Sequence, residues 1–297
     1  MPDVYREWRA VGDSYDPPRV FVAEAGVSSV ARLAEYLRPG RLHTAFDFHT
    51  TRCRWDAMQL RGAIAASLDA HQSIGAPVTW VLSNHDINRH VTRYGRGPNG
   101  HPLHGRPGDP VDLARGTRRA RAAILLELAL PGAVYLYQGE ELGLPEVDDI
   151  PEHLLADPTW GRSGHTRRGR DGCRVPLPWA RTGTSLGFGA TTPWLPQPSD
   201  WAALSVEAED ADHSSMLWLY RDALHLRRSL QELHGDAYTW LESGDDVIAF
   251  SRGDQFACVV NFGDEPIELP SGEVLLSSVP LDAGRLPDDA AAWVRLS

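Results

Sequence analysis

The amino-acid sequence predicts an α/β fold, in which a parallel sheet with helical crossovers is followed by a small antiparallel β-sandwich. In the first half of the chain, short apolar strands alternate with amphipathic helices, a pattern that favours parallel strands. Polar side chains stand directly after several of these strands, where TIM-barrel enzymes place their active sites. Beyond residue 231, short strands follow one another at close spacing with turns between them, as in an antiparallel sandwich.

Prolines, glycines and apolar spacing define the individual elements of the parallel part. Pro17-Pro18 stops a helix and precedes the strand over 19–23. Apolar residues recur at the i, i+3, i+4, i+7 spacing over 30–37, and Pro39-Gly40 ends that helix. The predicted strands are 19–23, 42–48, 78–82 and 133–137, and the predicted helices are 4–12, 30–37, 55–70, 112–130 and 213–230.

Two long segments lack a regular pattern, and the tail strands follow them. Residues 95–110 are rich in Gly and Pro, and residues 141–212 are rich in Pro, Trp, Gly and Arg. Long loops of this kind are commonly functional. The tail strands are predicted at 237–241, 247–251, 256–261, 267–269, 274–277 and 292–296.

The composition is that of an ordinary globular protein and argues against several classes. The chain has 297 residues, a hydrophobic fraction of 42% and a net charge of −11, which is unfavourable for binding nucleic-acid phosphates. No apolar run reaches the roughly 18 residues of a membrane span, and the N-terminus lacks the apolar core of a signal peptide. Three widely separated cysteines argue against a disulfide framework and favour a reducing, cytoplasmic setting.

Glu24 and Asp86 are the first candidates for chemistry. Each follows an apolar strand of the predicted parallel sheet, so both carboxylates should face the same edge of that sheet. Two carboxylates at one mouth are what glycoside hydrolysis requires. Gln138 and Glu140 follow the fourth strand in a similar way. The alternative is that a carboxylate after a strand caps a helix or a turn.

The other polar candidates have simpler interpretations beside the functional ones. His85, next to Asp86, could donate a hydrogen bond to a substrate or make a structural hydrogen bond. Metal binding by histidines is conceivable, but no HxxxH or HExxH spacing occurs, and we expect no metal site. The histidines in question are His43, His49, His85 and His90. Four arginines are expected on the solvent-exposed face of the helix over 112–130, namely Arg115, Arg118, Arg119 and Arg121.

Four motifs, taken together and in their order, resemble those of a known family. They are Val20-Phe-Val-Ala-Glu24, Thr79-Trp-Val-Leu-Ser-Asn-His-Asp86, Tyr135-Leu-Tyr-Gln-Gly-Glu-Glu-Leu-Gly143 and Gly169-Arg-Asp-Gly-Cys-Arg-Val-Pro-Leu-Pro-Trp179. The sequence is similar to the α-amylase family, glycoside hydrolase family 13, and in particular to its bacterial α-glucosidases and oligoglucosidases. The resemblance implies the C-terminal half, strands 5–8, of a TIM-type (β/α)8 barrel over residues 1–230, a C-terminal β-sandwich domain over 231–297, and no cofactor.

The resemblance also implies a role for four residues. Glu24 matches the family's general acid/base at the end of the fifth strand, and Asp86 matches the carboxylate that stabilises the transition state. His85 matches a histidine that hydrogen-bonds the sugar, and Arg174 matches an arginine that holds the non-reducing glucose. The implied reaction is the retaining hydrolysis of terminal α-glucosidic bonds in maltose- and isomaltose-type oligosaccharides.

One motif of the family does not occur in the sequence. The family's nucleophile is an aspartate in a Gly-Phe-Arg-x-Asp motif at the end of the fourth strand, which this chain lacks. We therefore expect an N-terminally truncated enzyme that is inactive or weakly active alone. We expect it to bind an α-linked gluco-oligosaccharide, and to pair through exposed barrel edges with a separately encoded N-terminal half or with itself. The alternatives are a non-catalytic sugar-binding or subunit protein and a non-functional gene fragment.

Overall fold

The computed structural model describes residues 2–97, 101–105 and 108–297, and its strands form two sheets. The strands are β1 (Val22–Ala23), β2 (Thr44–Asp47), β3 (Thr79–Val81), β4 (Ala133–Tyr135), β5 (Thr239–Trp240), β6 (Val247–Arg252), β7 (Phe256–Asn261), β8 (Gly272–Ser277) and β9 (Ala290–Leu296). The first four form a parallel sheet in the order β1-β2-β3-β4, and the rest form an antiparallel sheet in the order β5-β6-β7-β9-β8. The predicted α/β part followed by a β domain is confirmed.

The described residues contain the five predicted helices and four short α-helices besides, which the periodicity did not predict. They are α1 (Pro2–Asp13), α2 (Val30–Tyr36), α3 (Phe48–Thr51), α4 (Ala57–Gln72), α5 (His90–Gly95), α6 (Leu113–Ala129), α7 (Pro158–Arg162), α8 (Val206–Asp210) and α9 (Met216–Ser229). The predicted helices are present as α1, α2, α4, α6 and α9. Asp56, Asp112 and Ser215 cap α4, α6 and α9 by accepting a backbone N–H of the first turn. Within the described ranges, no helix has the length and apolar content that crossing a membrane requires.

Two local predictions differ from the structure, and part of a third lies outside the described residues. Phe48, predicted in the second strand, begins α3, because the Asp47 carboxylate caps that helix by accepting the N–H of His49 at 2.7 Å. The helix α5 lies directly before the predicted Gly/Pro-rich loop over 95–110, whose first residue it shares, in a stretch for which no element was predicted. Of that predicted loop over 95–110, residues 98–100 and 106–107 lie outside the described residues.

The parallel sheet has a buried centre and two open edges. Ala45 of β2 and Trp80 of β3 are fully buried, and the Trp80 indole N–H donates to the Pro131 carbonyl at 2.7 Å. The outer strands are β1 and β4, and among the described residues each pairs with one neighbour only. Because all four strands are parallel, their carboxyl ends lie at one edge of the layer.

Helix α6 is buried between the two sheets and forms one core with both. Leu125 is fully buried, and its carbonyl accepts the indole N–H of Trp293 in β9 at 2.9 Å. The prediction of a solvent-exposed arginine face on α6 is wrong in part, because these side chains contact the antiparallel sheet. Arg118 and Arg119 pair with Asp288 and Asp289, each at 2.9 Å. Arg115 lies 3.6 Å from the Asp289 carboxylate, and Arg121 donates to the Ser278 carbonyl at 2.6 Å.

The loops before and after β8 cover the second face of the antiparallel sheet. Every residue of β7 is buried, and one of its faces packs in the core shared with α6. On the other face, Val259 packs against Leu286 and Ala290. Ile267, predicted to begin a strand, makes only an isolated bridge to Leu286. The two layers are therefore the antiparallel sheet and the loops on either side of β8, rather than two sheets.

A large-to-small change at Leu125 tests this shared core. We expect Leu125→Ala to lower the free energy of unfolding by about 2–5 kcal/mol, because it leaves a cavity at a fully buried position between the two sheets. Leu113→Ala, on the exposed first turn of the same helix, should change it by less than about 0.5 kcal/mol. Urea denaturation measures both. Equal effects of the two substitutions would contradict a core that passes through α6.

Candidate functional site

The loops after β1 and β3 bring three of the predicted site residues together. Glu24 directly follows β1, and His85 and Asp86 lie a few residues after β3. One side-chain oxygen or nitrogen of each of the three lies within 4.8 Å of the others. Glu24 and His85 are exposed, and the Asp86 side chain is 39% exposed. Two carboxylates and an imidazole therefore share one open site at the carboxyl edge of the parallel sheet.

Two arginines from the segment 170–174 hold the Asp86 carboxylate. The same oxygen, Oδ1, accepts Nη1 of Arg170 at 2.8 Å and Nη2 of Arg174 at 3.1 Å, and the His85 ring lies 3.4 Å from it. Arg174 also donates through Nε to the His85 carbonyl at 2.8 Å. Two guanidinium groups on one carboxylate oxygen fix the direction of that carboxylate. The predicted residue Arg174 thus lies in the same cluster as Glu24, His85 and Asp86.

A buried arginine connects the loops that carry these residues. Arg89 is buried and donates to the carbonyls of Gln138 and Cys173, each at 2.9 Å. Its own backbone N–H donates to the Glu146 carboxylate at 2.8 Å. The loop after β3 is thereby bonded to the turn after β4 and to the segment that carries Arg174.

Other polar residues at the strand ends have structural roles. Glu140 is buried with neither carboxylate oxygen hydrogen-bonded among the described residues, so it does not line the open site. His90, one of the histidines considered for metal binding, accepts or donates at Ser83 Oγ, 2.8 Å from its Nδ1. His43 and His49 contact the Phe21 backbone N–H and the Asp47 carboxylate respectively. Of the four histidines, the cluster contains His85.

Sequence analysis gave no role to Arg170. Arg170 lies in the motif over 169–179, four residues before Arg174. This spacing is the feature of the sequence that could have indicated its role. Its second partner is Asp157, a buried aspartate 13 residues earlier, to which its Nε donates. Asp157 lies in the long irregular segment, where no periodicity indicates which residues will meet.

Sequence comparison connects the whole described site to known proteins. The family described as "Alpha amylase, catalytic domain" matches residues 2–236, and a "Domain of unknown function (DUF3459)" matches residues 219–293. A "Probable alpha-glucosidase" of Rhizobium meliloti (strain 1021) is 28% identical over 310 residues, which cover 98% of this chain and 52% of the relative. An "Oligo-1,6-glucosidase" of Parageobacillus thermoglucosidasius is 26% identical, covering 68% of this chain and 38% of the relative.

Solved structures agree with the fold. The crystal structure of the alpha-glucosyl transfer enzyme XgtA matches with a TM-score of 0.79 and 30% identity, covering 99% of this chain and 54% of that protein. Isomaltulose synthase (PalI) from Klebsiella sp. LX3 matches with a TM-score of 0.79 at 22% identity, a likeness of fold. The chain spans about half the length of the proteins it matches.

Two buried carboxylic acids, one on α6 and one after β4, have raised pKa values. Burial raises the pKa of Glu127 on α6 to about 8, although Arg227 and Arg93 oppose the shift. Burial, together with the nearby Glu127, raises the pKa of Glu140 well above its usual value. Burial lowers the pKa of His90 to about 3, and Arg93 and Arg89 add to that shift. At pH 7, Glu127 is therefore mostly protonated and His90 is neutral.

The raised pKa of Glu127 predicts that stability falls between pH 6.5 and 8. In this window the unfolded chain has already released the proton that the folded protein retains, so the free energy of unfolding decreases as pH rises. His90 adds a small opposite slope near pH 6.5, where the unfolded ring still releases a proton that the folded ring does not hold, and almost none near pH 8. We expect Glu127→Gln to remove about 2 kcal/mol of this decrease. Chemical denaturation at several pH values measures it.

The exposed Glu265→Gln is the matched control and should leave the pH dependence of the parent protein unchanged. A parent protein whose stability is flat from pH 6.5 to 8, or rises, would contradict a buried and protonated Glu127.

Proposed function

The chain belongs to the α-amylase family, and from that membership and the site geometry we propose that it carries part of an α-glucosidase active site. The observation that supports this is the meeting of Glu24, His85 and Asp86, with Asp86 held by two arginines. The substrates are terminal α-glucosides of maltose- and isomaltose-type oligosaccharides. The relatives named as alpha-glucosidase and oligo-1,6-glucosidase support this substrate class.

Each residue of the cluster has a role in the proposed reaction. Glu24 donates a proton to the glycosidic oxygen as the bond from that oxygen to C1 breaks, and later takes a proton from the attacking water. The Asp86 carboxylate grips the sugar and stabilises the positive charge that develops at C1 and the ring oxygen. His85 and Arg174 bind the hydroxyl groups of the non-reducing glucose. The carboxylate nucleophile that a retaining mechanism requires comes from strands other than β1–β4.

We further propose that other strands pair with the open edges of the parallel sheet. The edge strand β4 presents half-exposed residues, and a groove of about 490 Å³ beside it is lined by Val134, Leu136 and Leu224. Unpaired edges and uncovered apolar faces favour association. The partner is a polypeptide that supplies the remaining barrel strands, or a second copy of the chain.

The proposal also includes a domain boundary and a cellular setting, and one feature supports each. The division between the partial barrel and the C-terminal β domain falls near residue 230, where α9 has ended and the two family matches overlap. The three cysteines are unpaired, which favours a reducing, cytoplasmic setting.

Binding and turnover can be separated with two substitutions. By calorimetry, we expect the chain to bind maltose and Asp86→Ala to weaken that binding at least 10-fold. With p-nitrophenyl-α-glucoside, any turnover by the chain should fall by about 100-fold or more in Glu24→Gln, which removes the proton donor, while maltose binding persists. Glu35→Gln, an exposed glutamate on α2, is the control. Maltose binding without turnover agrees both with a partial site that lacks its nucleophile and with the non-catalytic alternative, turnover that Glu24→Gln abolishes favours the enzyme, and the absence of both binding and turnover overturns the proposal.

Self-association through the open edge can be tested with a matched pair of charged substitutions. We expect the parent chain to sediment as a dimer or larger species in analytical ultracentrifugation. Leu136→Lys, just after β4, should shift it toward monomer, because a charge on an edge opposes pairing. Val274→Lys, equally exposed at 38% on the edge strand of the other sheet, should not. A parent chain that is a compact monomer at all concentrations would contradict the open-edge proposal.

A further inference from the structure

In the segment 156–174, the buried Asp157 bonds to Arg170, which also contacts the candidate site. Asp157 is 5% exposed, and its carboxylate accepts the N–H of Thr159 at 2.8 Å, the N–H of Arg170 at 3.1 Å and the Nε–H of Arg170. The other end of the same guanidinium, Nη1, donates to Asp86 at 2.8 Å. One planar cation therefore joins a buried aspartate to the exposed aspartate of the site.

The backbone around Asp157 is itself fixed by a second buried carboxylate. Asp171, 4% exposed, accepts the backbone N–H groups of Ala156 and Asp157 at 2.8 and 2.9 Å. Gly169 has a φ of +78°, and a Cβ there would lie 2.7 Å from Asp157 Cβ. A side chain at position 169 would therefore clash with Asp157. This close packing leaves Asp157 little freedom to move.

Electrostatics favour the same arrangement. Burial alone would raise the pKa of Asp157, but the hydrogen bonds from Arg170 and Thr159 outweigh it and hold the pKa well below its usual value. The Asp157 carboxylate is therefore ionised at neutral and mildly acidic pH. A permanent buried charge keeps the Arg170 guanidinium in one orientation, and a planar guanidinium transmits that orientation to its other nitrogen.

We propose that Asp157 is a positioning residue, which holds the Arg170 guanidinium against Asp86 and so fixes the carboxylate that grips the sugar. This inference rests on the proposed function for the role of Asp86, but the contact from Asp157 to Arg170 stands independently of it. An exclusively structural role, as the cap of the short helix α7, is the competing explanation, because Asp157 also accepts the N–H of Thr159.

Asp157→Asn distinguishes the two roles, because asparagine caps a helix about as well as aspartate but lacks the charge that holds Arg170. In ¹⁵N NMR, the Arg170 Nε–H signal, identified by its loss in Arg170→Gln, should exchange with solvent at least 10-fold faster in Asp157→Asn. Asp56→Asn, which changes the cap of α4 in the same way, should leave that signal unchanged. An unchanged Arg170 signal in Asp157→Asn would overturn the proposal.

Calorimetric titration with maltose tests the consequence for the site. Asp157→Asn and Arg170→Gln should each weaken maltose binding about 5-fold or more, and the double variant should be no weaker than Arg170→Gln alone. Additive losses would mean that Asp157 acts by another route and would also overturn the inference. If the parent protein binds no maltose, the proposed function fails while the NMR measurement still decides the contact. If Asp157→Asn does not fold, the Nε–H protection in the parent protein decides it, since an unprotected signal excludes the contact.

Discussion

The candidate site depends on buried arginines that bond to backbone carbonyls rather than to carboxylates. Arg93, 5% exposed, donates to the carbonyls of Thr51 and Asn88 and to that of Leu82, which follows β3 directly. It therefore joins the end of α3, the end of β3 and the loop that carries Asp86. Burying a guanidinium costs free energy that only a full set of acceptors offsets, so the loops must take this one arrangement for the bonds to form. Irregular segments thereby acquire the fixed geometry that helices and strands obtain from their own hydrogen bonds.

The antiparallel sheet belongs to the same construction, because it covers the outer face of the helix that packs on the parallel strands. Arg252, at the end of β6, is buried and donates to the Ala129 carbonyl at 2.7 Å, at the C-terminal end of α6. Arg227 of α9 donates to the carbonyls of Leu128, Leu130 and Gly132. The free carbonyls at a helix end require partners when they are buried, and here the C-terminal part of the chain supplies them. Helix α6 therefore fixes the position of the two sheets relative to each other. Strand β4 begins three residues after Leu130, close to these bonds.

The sequence predicted what periodicity and strand direction determine, and it failed where distant segments meet. Parallel strands end at a common edge, so the proximity of Glu24 and Asp86 followed from topology alone. The arginines of α6 have the spacing of a solvent-exposed face, but Asp288 and Asp289 cover that face from about 170 positions away. The Asp157–Arg170 contact belongs to the same class. It joins two parts of an irregular segment, and no local pattern encodes a hydrogen bond between them.

The two parts of the proposed function support each other through the position of Glu24. A general acid that works near neutral pH needs a carboxyl group that keeps its proton, and burial is the usual means. Glu24 is exposed, and it directly follows β1, which is an edge strand. A strand that paired with β1 would occupy the space beside that edge and reduce the contact of Glu24 with water. It would also bring its own carboxyl end to the mouth, where a retaining mechanism requires the nucleophile about 5–5.5 Å from the acid. One added neighbour would thus supply both the nucleophile and the environment of the acid.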